Sequence, residues 1–331
     1  MHAGLRCYDS PLPIRLLHVS SSTPHHLSRA DYLRGASWGL AAITIWVGWI
    51  LYTRVAVTKS MHPVDLIALR YGCAGLLMLP IVLRKGFAVR RVGTARWLWM
   101  VAGAGVPYVM LSSSGLQFAP AAQAGALIPG TMPLWAALLA IVFLKEHISG
   151  WRRAGLALIP VGIVTILGTG LFHFESGYWQ GHLLFIGSAM CWAIFTVAMR
   201  GSGLDSIHAA AIVSVVSMLV YLPIYLLFLP HGLSAAPWPA IVGQTVFQGV
   251  FVSILSLIAY ARAVNILGAS LAASFASLVP AASMLLAIPL LGEIPGHSDL
   301  IGIAVITSGV FLASGAYAAF VPDRNLARSA T

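Results

Sequence analysis

Charge is scarce in this chain. Only 8% of its 331 residues are charged, and Asp plus Glu number 9. A soluble domain carries roughly 25% charged residues, so this composition cannot coat a water-facing surface of the required size, and a typical soluble enzyme is excluded. Cysteine is also sparse. Cys7, Cys73 and Cys191 lack metal-site spacing, and two of them lie in apolar stretches, as free packed thiols do. The sequence has no zinc-type His-Glu-x-x-His, no glycine-flanked nucleophilic Ser, no paired midspan aspartates and no Gly-rich loop ending in Gly-Lys-Ser or Gly-Lys-Thr. An intramembrane enzyme and an ATP hydrolase therefore find no support, and no cofactor or metal is expected.

Apolar sequence is abundant, at 59% of residues. A helix needs about 20 apolar residues to cross a hydrocarbon layer, and the apolar runs after Gly35 divide into ten such lengths. The expected spans are 35–57, 63–83, 96–117, 120–143 and 152–171, then 178–199, 206–229, 239–264, 268–291 and 298–320. The fold class is thus an all-α polytopic membrane protein with ten transmembrane helices and the lipid bilayer as its main solvent. Residues 1–34 read as a polar, disordered cytoplasmic tail or an upstream mis-assigned start, and 321–331 as a second cytoplasmic tail. The net charge of +10 is dispersed in small groups between apolar runs, which argues against nucleic acid and for topology signals. With the amino terminus inside, only Arg54 and Lys59 fall on the outer face and Arg70 within a span, while the other Lys and Arg residues are cytoplasmic. Both termini are expected on the cytoplasmic side of the cytoplasmic (inner) membrane.

The chain repeats itself. A shift of 147 positions pairs Pro133 with Pro280, Glu146 with Glu293, Gly155 with Gly302, and Gly162 with Gly309. A shift of 146 pairs Gly35 with Gly181, Trp46 with Trp192 and Arg54 with Arg200. Two five-helix units follow, residues 35–171 and 178–320. Because five is odd, the second unit enters the membrane from the opposite side, the inverted-repeat arrangement of secondary transporters.

These residues resemble the EamA type of the drug/metabolite transporter superfamily. The resemblance rests on Trp46 and Trp192, on Arg70, and on Pro133 followed by Leu144-Lys145-Glu146, Gly155 and Gly162. The second copy reads Pro280, Leu291-Gly292-Glu293, Gly302 and Gly309, but places Val213 or Ser217 where the first has Arg70. The resemblance implies a ten-helix carrier, often an exporter of amino acids or other small metabolites, that works by alternating access. A passive channel or a membrane-assembly subunit is the alternative. The partner is a small-molecule metabolite, and either a monomer or a homodimer is compatible with the sequence.

Five residues are candidates for solute binding: Trp46, Arg70, Tyr108, Gln123 and Trp192. Arg70 lies seven residues past Pro63, roughly 10 Å into its helix, where a charge either marks a solute path or braces the bundle by capping carbonyls. Trp46 and Trp192 offer a flat wall and a cation-attracting face, or else pack. Tyr108 and Gln123 either face water or bond between helices. Pro133 and Pro280 are hinges or rigid bends. Glu146 and Glu293 close equivalent helices on opposite faces, as gates or caps. Asp65 and His182 are expected at the interface, with Asp65 solvated.

Overall fold

The computed structural model describes residues 28–148, 150–171, 177–230 and 232–315. Most of both expected tails, 1–27 and 316–331, lies outside the described residues, as do Cys7 and the boundary residue His231. Within the described residues the chain is helical and has no strand. The helices are α1 (Arg29–Lys59), α2 (Pro63–Lys85), α3 (Val89–Val92), α4 (Thr94–Ala104), α5 (Val106–Phe118), α6 (Ala121–Leu144) and α7 (Gly150–Leu171). The second set is α8 (Tyr178–Met199), α9 (Ser206–Phe228), α10 (Trp238–Val246), α11 (Ser256–Leu267), α12 (Ala269–Ala276), α13 (Val279–Leu291) and α14 (His297–Ala313). A π-helical segment, Phe247–Leu255, joins α10 to α11. Among the described residues eight rods are long and apolar enough to cross a membrane, and α14 is a shorter apolar helix.

Local chemistry sets the helix ends. α1 begins at Arg29, six residues before the expected start, because the Ser28 hydroxyl accepts the Asp31 N–H and supplies an N-cap. Pro63 sits at the first turn of α2, where its missing N–H costs nothing. The expected third span is split between α4 and α5 at Gly105. A Cβ there would lie 2.3 Å from the Val101 carbonyl oxygen and 2.8 Å from the Ser217 hydroxyl, so only glycine fits. The expected ninth span is likewise split between α12 and α13, just before Pro280. Its counterpart α6 runs unbroken through Pro129 and Pro133.

Packing joins corresponding helices of the two copies: α2 lies against α9, α6 against α13 and α7 against α14. The other large contacts are crosswise, with α1 on α11 and α8 on α4, α5 and α6. The α7–α14 seam is reciprocal. A Cβ on Gly155 would meet the Gly309 carbonyl at 2.7 Å, and one on Gly302 the Gly162 carbonyl at 2.9 Å. The repeated glycines thus pack on one another with the two helices antiparallel, and small residues permit the close approach. α2 and α9 are also antiparallel: Gly75 meets Met218, whereas Asp65, ten residues earlier, meets Tyr225.

Candidate functional site

Arg70 projects from the middle of α2 and is 8% exposed. Its guanidinium has a hydrogen bond from Nη1 to the Gln248 side-chain oxygen at 3.4 Å, while Nε has no partner. The guanidinium carbon lies 5.9 Å from the Tyr71 ring centroid, a cation–π distance. Gln248 is held in place: its amide nitrogen donates to the Thr53 hydroxyl at 3.0 Å and to the Gln244 oxygen at 3.3 Å. That fixes the Gln248 oxygen toward Arg70. Gln248 belongs to the π-helical segment, where the extra residue per turn re-aims side chains, a feature frequent at functional sites.

The break in the third span carries the next layer. Tyr71 donates its hydroxyl proton to the Ala104 carbonyl at 3.0 Å, tying α2 to the last residue of α4. One residue on, Gly105 brings the backbone against Ser217 of α9, and α5 then presents Tyr108. The Tyr108 ring lies 6.1 Å from Trp49 and 5.0 Å from Trp192 between centroids, and Trp192 lies 5.4 Å from Phe195. Tyr108 is also within electrostatic reach of Arg70. Trp46 packs on Tyr260 at 5.1 Å.

Among the sequence candidates, then, Tyr108 and Trp192 come together, and Arg70 joins the same region through the α4–α5 break. Trp46 occupies the α1–α11 contact, so the repeated tryptophans take different partners. Gln123 is in a separate network. Its amide nitrogen donates to Asp299 at 3.0 Å and its oxygen bonds His182 Nε2 at 2.7 Å. Since a carboxylate only accepts, Asp299 sets the amide orientation, and the Gln123 oxygen then accepts a hydrogen bond donated by the His182 Nε2–H. His182 is 1% exposed rather than interfacial, and its Nδ1 has no partner.

Asp65 is the clearest departure from sequence reasoning. It is fully buried, not solvated, and accepts from the Tyr225 hydroxyl at 2.6 Å, the Gly232 N–H at 3.1 Å and the His62 N–H at 3.1 Å. The His62 contact is local, from the N-cap residue of α2 to the side chain three residues on; the Tyr225 and Gly232 contacts come from across the bundle. Sequence reasoning gave no role to Trp49, whose side-chain nitrogen is buried without a partner, or to Ser217, whose hydroxyl meets the Tyr71 side chain. Nothing local distinguishes them from ordinary span residues.

Glu293 and Glu146 each pair with the arginine of the other copy. Arg54 Nε meets Glu293 at 2.9 Å, with the side chains 18% and 17% exposed. Arg54 Nη1 also donates to the Leu116 and Gln117 carbonyls, and Glu293 accepts the Ala121 N–H at 2.7 Å. A cation thus sits at the carboxyl end of α5 and an anion at the amino end of α6, each complementing a helix dipole. The counterpart pair, Arg200 with Glu146 at 3.1 Å, is 44% and 48% exposed. Its equivalent backbone groups are occupied otherwise, since the Gly268 N–H bonds the Val264 carbonyl at 2.9 Å. One latch ties four helix ends, while its twin is an exposed ion pair.

Two pockets open on the bundle. One of about 550 Å³ is lined by residues 57–62, Gln117 and part of 232–237 beside the Arg54 latch. The other, about 790 Å³ and mostly apolar, lies between α1, α10, the π-helical segment and the end of α13. Neither lining includes Arg70 or Tyr108.

With this geometry in view, the comparisons with known proteins are specific. Residues 33–168 and 179–315 each match the EamA-like transporter family. The chain belongs to that family. A relative from Streptantibioticus cattleyicolor, named "Probable terminal-alkyne amino-acid exporter", is 28% identical over 80% of this chain and 92% of its own length. The "Aromatic amino acid exporter YddG" of Ancylobacter novellus is 29% identical over 49% of this chain and 56% of its own length. A protein crystal structure shares the fold, with a TM-score of 0.52 at 21% identity over 85% of this chain and 97% of that one. This EamA-family chain is a multi-pass membrane protein of a transporter family.

Proposed function

We propose that this chain is a ten-helix secondary transporter built as two inverted five-helix repeats, residues 35–171 and 178–320. It exports amino acids or other small metabolites across the cytoplasmic membrane by alternating access, with both termini cytoplasmic. The observation that carries this reading is that corresponding helices of the two copies run antiparallel along the reciprocal Gly155–Gly309 and Gly162–Gly302 contacts. Copies related in that way enter the bilayer from opposite faces. The eight long rods, which include the split ninth span, together with the split third span and the shorter α14 bring the total to ten. Export is supported by the names of two relatives, both amino-acid exporters.

Tyr108, Trp192 and Arg70 line the solute path at its centre, Trp46 stands beside it, and Gln123 belongs to its outer end. The latches at Glu293 and Glu146 gate the outer and inner ends. The latch asymmetry supports a state closed outside and loosened inside. Pro133 and Pro280 act as hinges. Equivalent prolines lie in an unbroken helix in one copy and beside a break in the other, as two copies exchanging conformations require. Cells overproducing the chain should tolerate toxic amino-acid analogues better than controls, and purified protein in vesicles should give saturable flux. Flux that never saturates would indicate a channel.

A further inference from the structure

We propose that the Arg70 site recognises the carboxylate of its solute, so that the transported class is a monocarboxylate carrying an apolar or aromatic group, and that the site does not read the amino group by charge. This rests on the reading of the Arg70–Tyr108–Trp192 region as the solute path.

Arg70 is a buried cation that lacks an anion among the described residues. Three ion pairs occur among the described residues, and Arg70 is in none of them. The neighbouring acid on its own helix, Asp65, is committed to Tyr225, Gly232 and His62. Arg70 is left with an amide oxygen at 3.4 Å, the Tyr71 ring at 5.9 Å and the side-chain oxygen of the same tyrosine, none of them an anion at neutral pH. A guanidinium has five N–H donors in a planar fork that matches the two oxygens of a carboxylate. Here Nε is unbonded in a buried position. A buried charge is normally paired, so this one is completed by something the described residues do not supply.

The surroundings point to the same chemistry. Trp49 Nε1 is also buried without a partner, and the Ser217 hydroxyl meets the Tyr71 side chain rather than an acid. An indole nitrogen only donates, so the region holds donors in excess of acceptors. The second copy has Val213 or Ser217 where the first has Arg70, and neither is charged, so the path has one central cation rather than two. One cation matches a single carboxylate better than a phosphate dianion. No carboxylate among the described residues pairs with Arg70, so an ammonium group on the solute meets only the faces of Tyr108 and Trp192, which would equally cover a hydrocarbon or aromatic side chain.

The test compares L-phenylalanine, 3-phenylpropionate, L-phenylalaninamide and phenyl phosphate as ligands of the full-length chain in lipid nanodiscs. Phenylalanine and 3-phenylpropionate should bind with affinities within about fivefold of one another, and the amide and the phosphate at least tenfold more weakly. Arg70→Gln should abolish the preference for acid over amide, and Trp49→Phe, which keeps the ring but shortens the donor set, should weaken the acids by about threefold to tenfold. Equal binding of acid and amide by the unaltered chain overturns the proposal, as does tighter binding of the phosphate. So does an Arg70→Gln protein that keeps the preference. The acid–amide comparison needs no variant, so misfolding of Arg70→Gln leaves the test intact. Arg70-dependent carboxylate binding without saturable flux in vesicles would sink the transporter reading and leave this one standing. Saturable phenylalanine flux that survives Arg70→Gln would do the reverse.

Discussion

Breaking the Arg54–Glu293 latch should open the outer end of the path, by an amount the geometry bounds. At an effective dielectric near 20, two unit charges 4 Å apart attract by about 4 kcal/mol. Desolvation of a partly buried pair offsets much of that, leaving about 1–3 kcal/mol of coupling, or roughly 5- to 150-fold in an equilibrium. The Glu293 bond to the Ala121 N–H survives Arg54→Ala, so the pair and the cap can be removed separately. Ser113 is a suitable reporter. It is fully buried on α5, one turn before Leu116, and its hydroxyl has no partner to lose. In a background with Cys7, Cys73 and Cys191 replaced by Ala, a Ser113→Cys thiol should react slowly with a membrane-impermeant maleimide applied from outside. Arg54→Ala should raise that rate about 5- to 150-fold, and Glu293→Gln by a similar factor. The double variant should add little to either. Glu146→Ala, at the exposed twin pair, should leave the rate unchanged or lower it. An unchanged rate in a folded Arg54→Ala protein, or a rise caused by Glu146→Ala alone, would refute the assignment of this latch to the outer gate.

The remaining predictions concern stability. Gly155→Ala should lower the unfolding midpoint in detergent, costing about 1–3 kcal/mol by overpacking, because its Cβ would lie 2.4 Å from the Ala313 nitrogen. Gly168→Ala, on the same helix with nothing within 4 Å, should be neutral or stabilising by up to about 1 kcal/mol; equal losses at both positions would discount the seam. Asp299→Asn should remove the carboxylate that orients Gln123, destabilising by about 1 kcal/mol, and a His182→Ala change added to it should cost less than His182→Ala alone. Asp205 caps α9, and its carboxyl is held below the ordinary value, first by the Lys85 hydrogen bond at 2.8 Å and then by the His208 N–H. A lowered folded-state pKa stabilises above the unfolded value of 3.8 and is lost as the pH falls through the folded value. Asp205→Asn should therefore cost about 0.2–1 kcal/mol at neutral pH, and the gap should close in acid; a gap that widens would contradict this sign.

Legibility differed between parts of the molecule. The spans were readable because twenty apolar residues have one economical use in water-free surroundings, a helix with its backbone bonds closed internally. The Gly155–Gly302 and Gly162–Gly309 matches were readable as a repeat, and their reciprocal contact followed once the helices packed. The breaks at Gly105 and before Pro280 were not, since glycine and proline occur in unbroken spans as well, including α6. Trp46 and Trp192 looked equivalent, yet they meet Tyr260 and Tyr108 on different helices. Asp65 looked solvated because its acceptors are used by Tyr225 and Gly232, more than 150 residues away.

The sequence by itself determined that lipid is the solvent, that the unit is copied, and which side chains are costly enough to bury that they demand a reason. Those properties are sums over composition and spacing, which need no coordinates. Tertiary structure alone decided which costly groups are satisfied. Asp65 and Glu293 have their partners, His182 has one of two, and Arg70 lacks an anion, because hydrogen bonds and ion pairs act over about 3 Å between residues whose separation along the chain carries no information about distance.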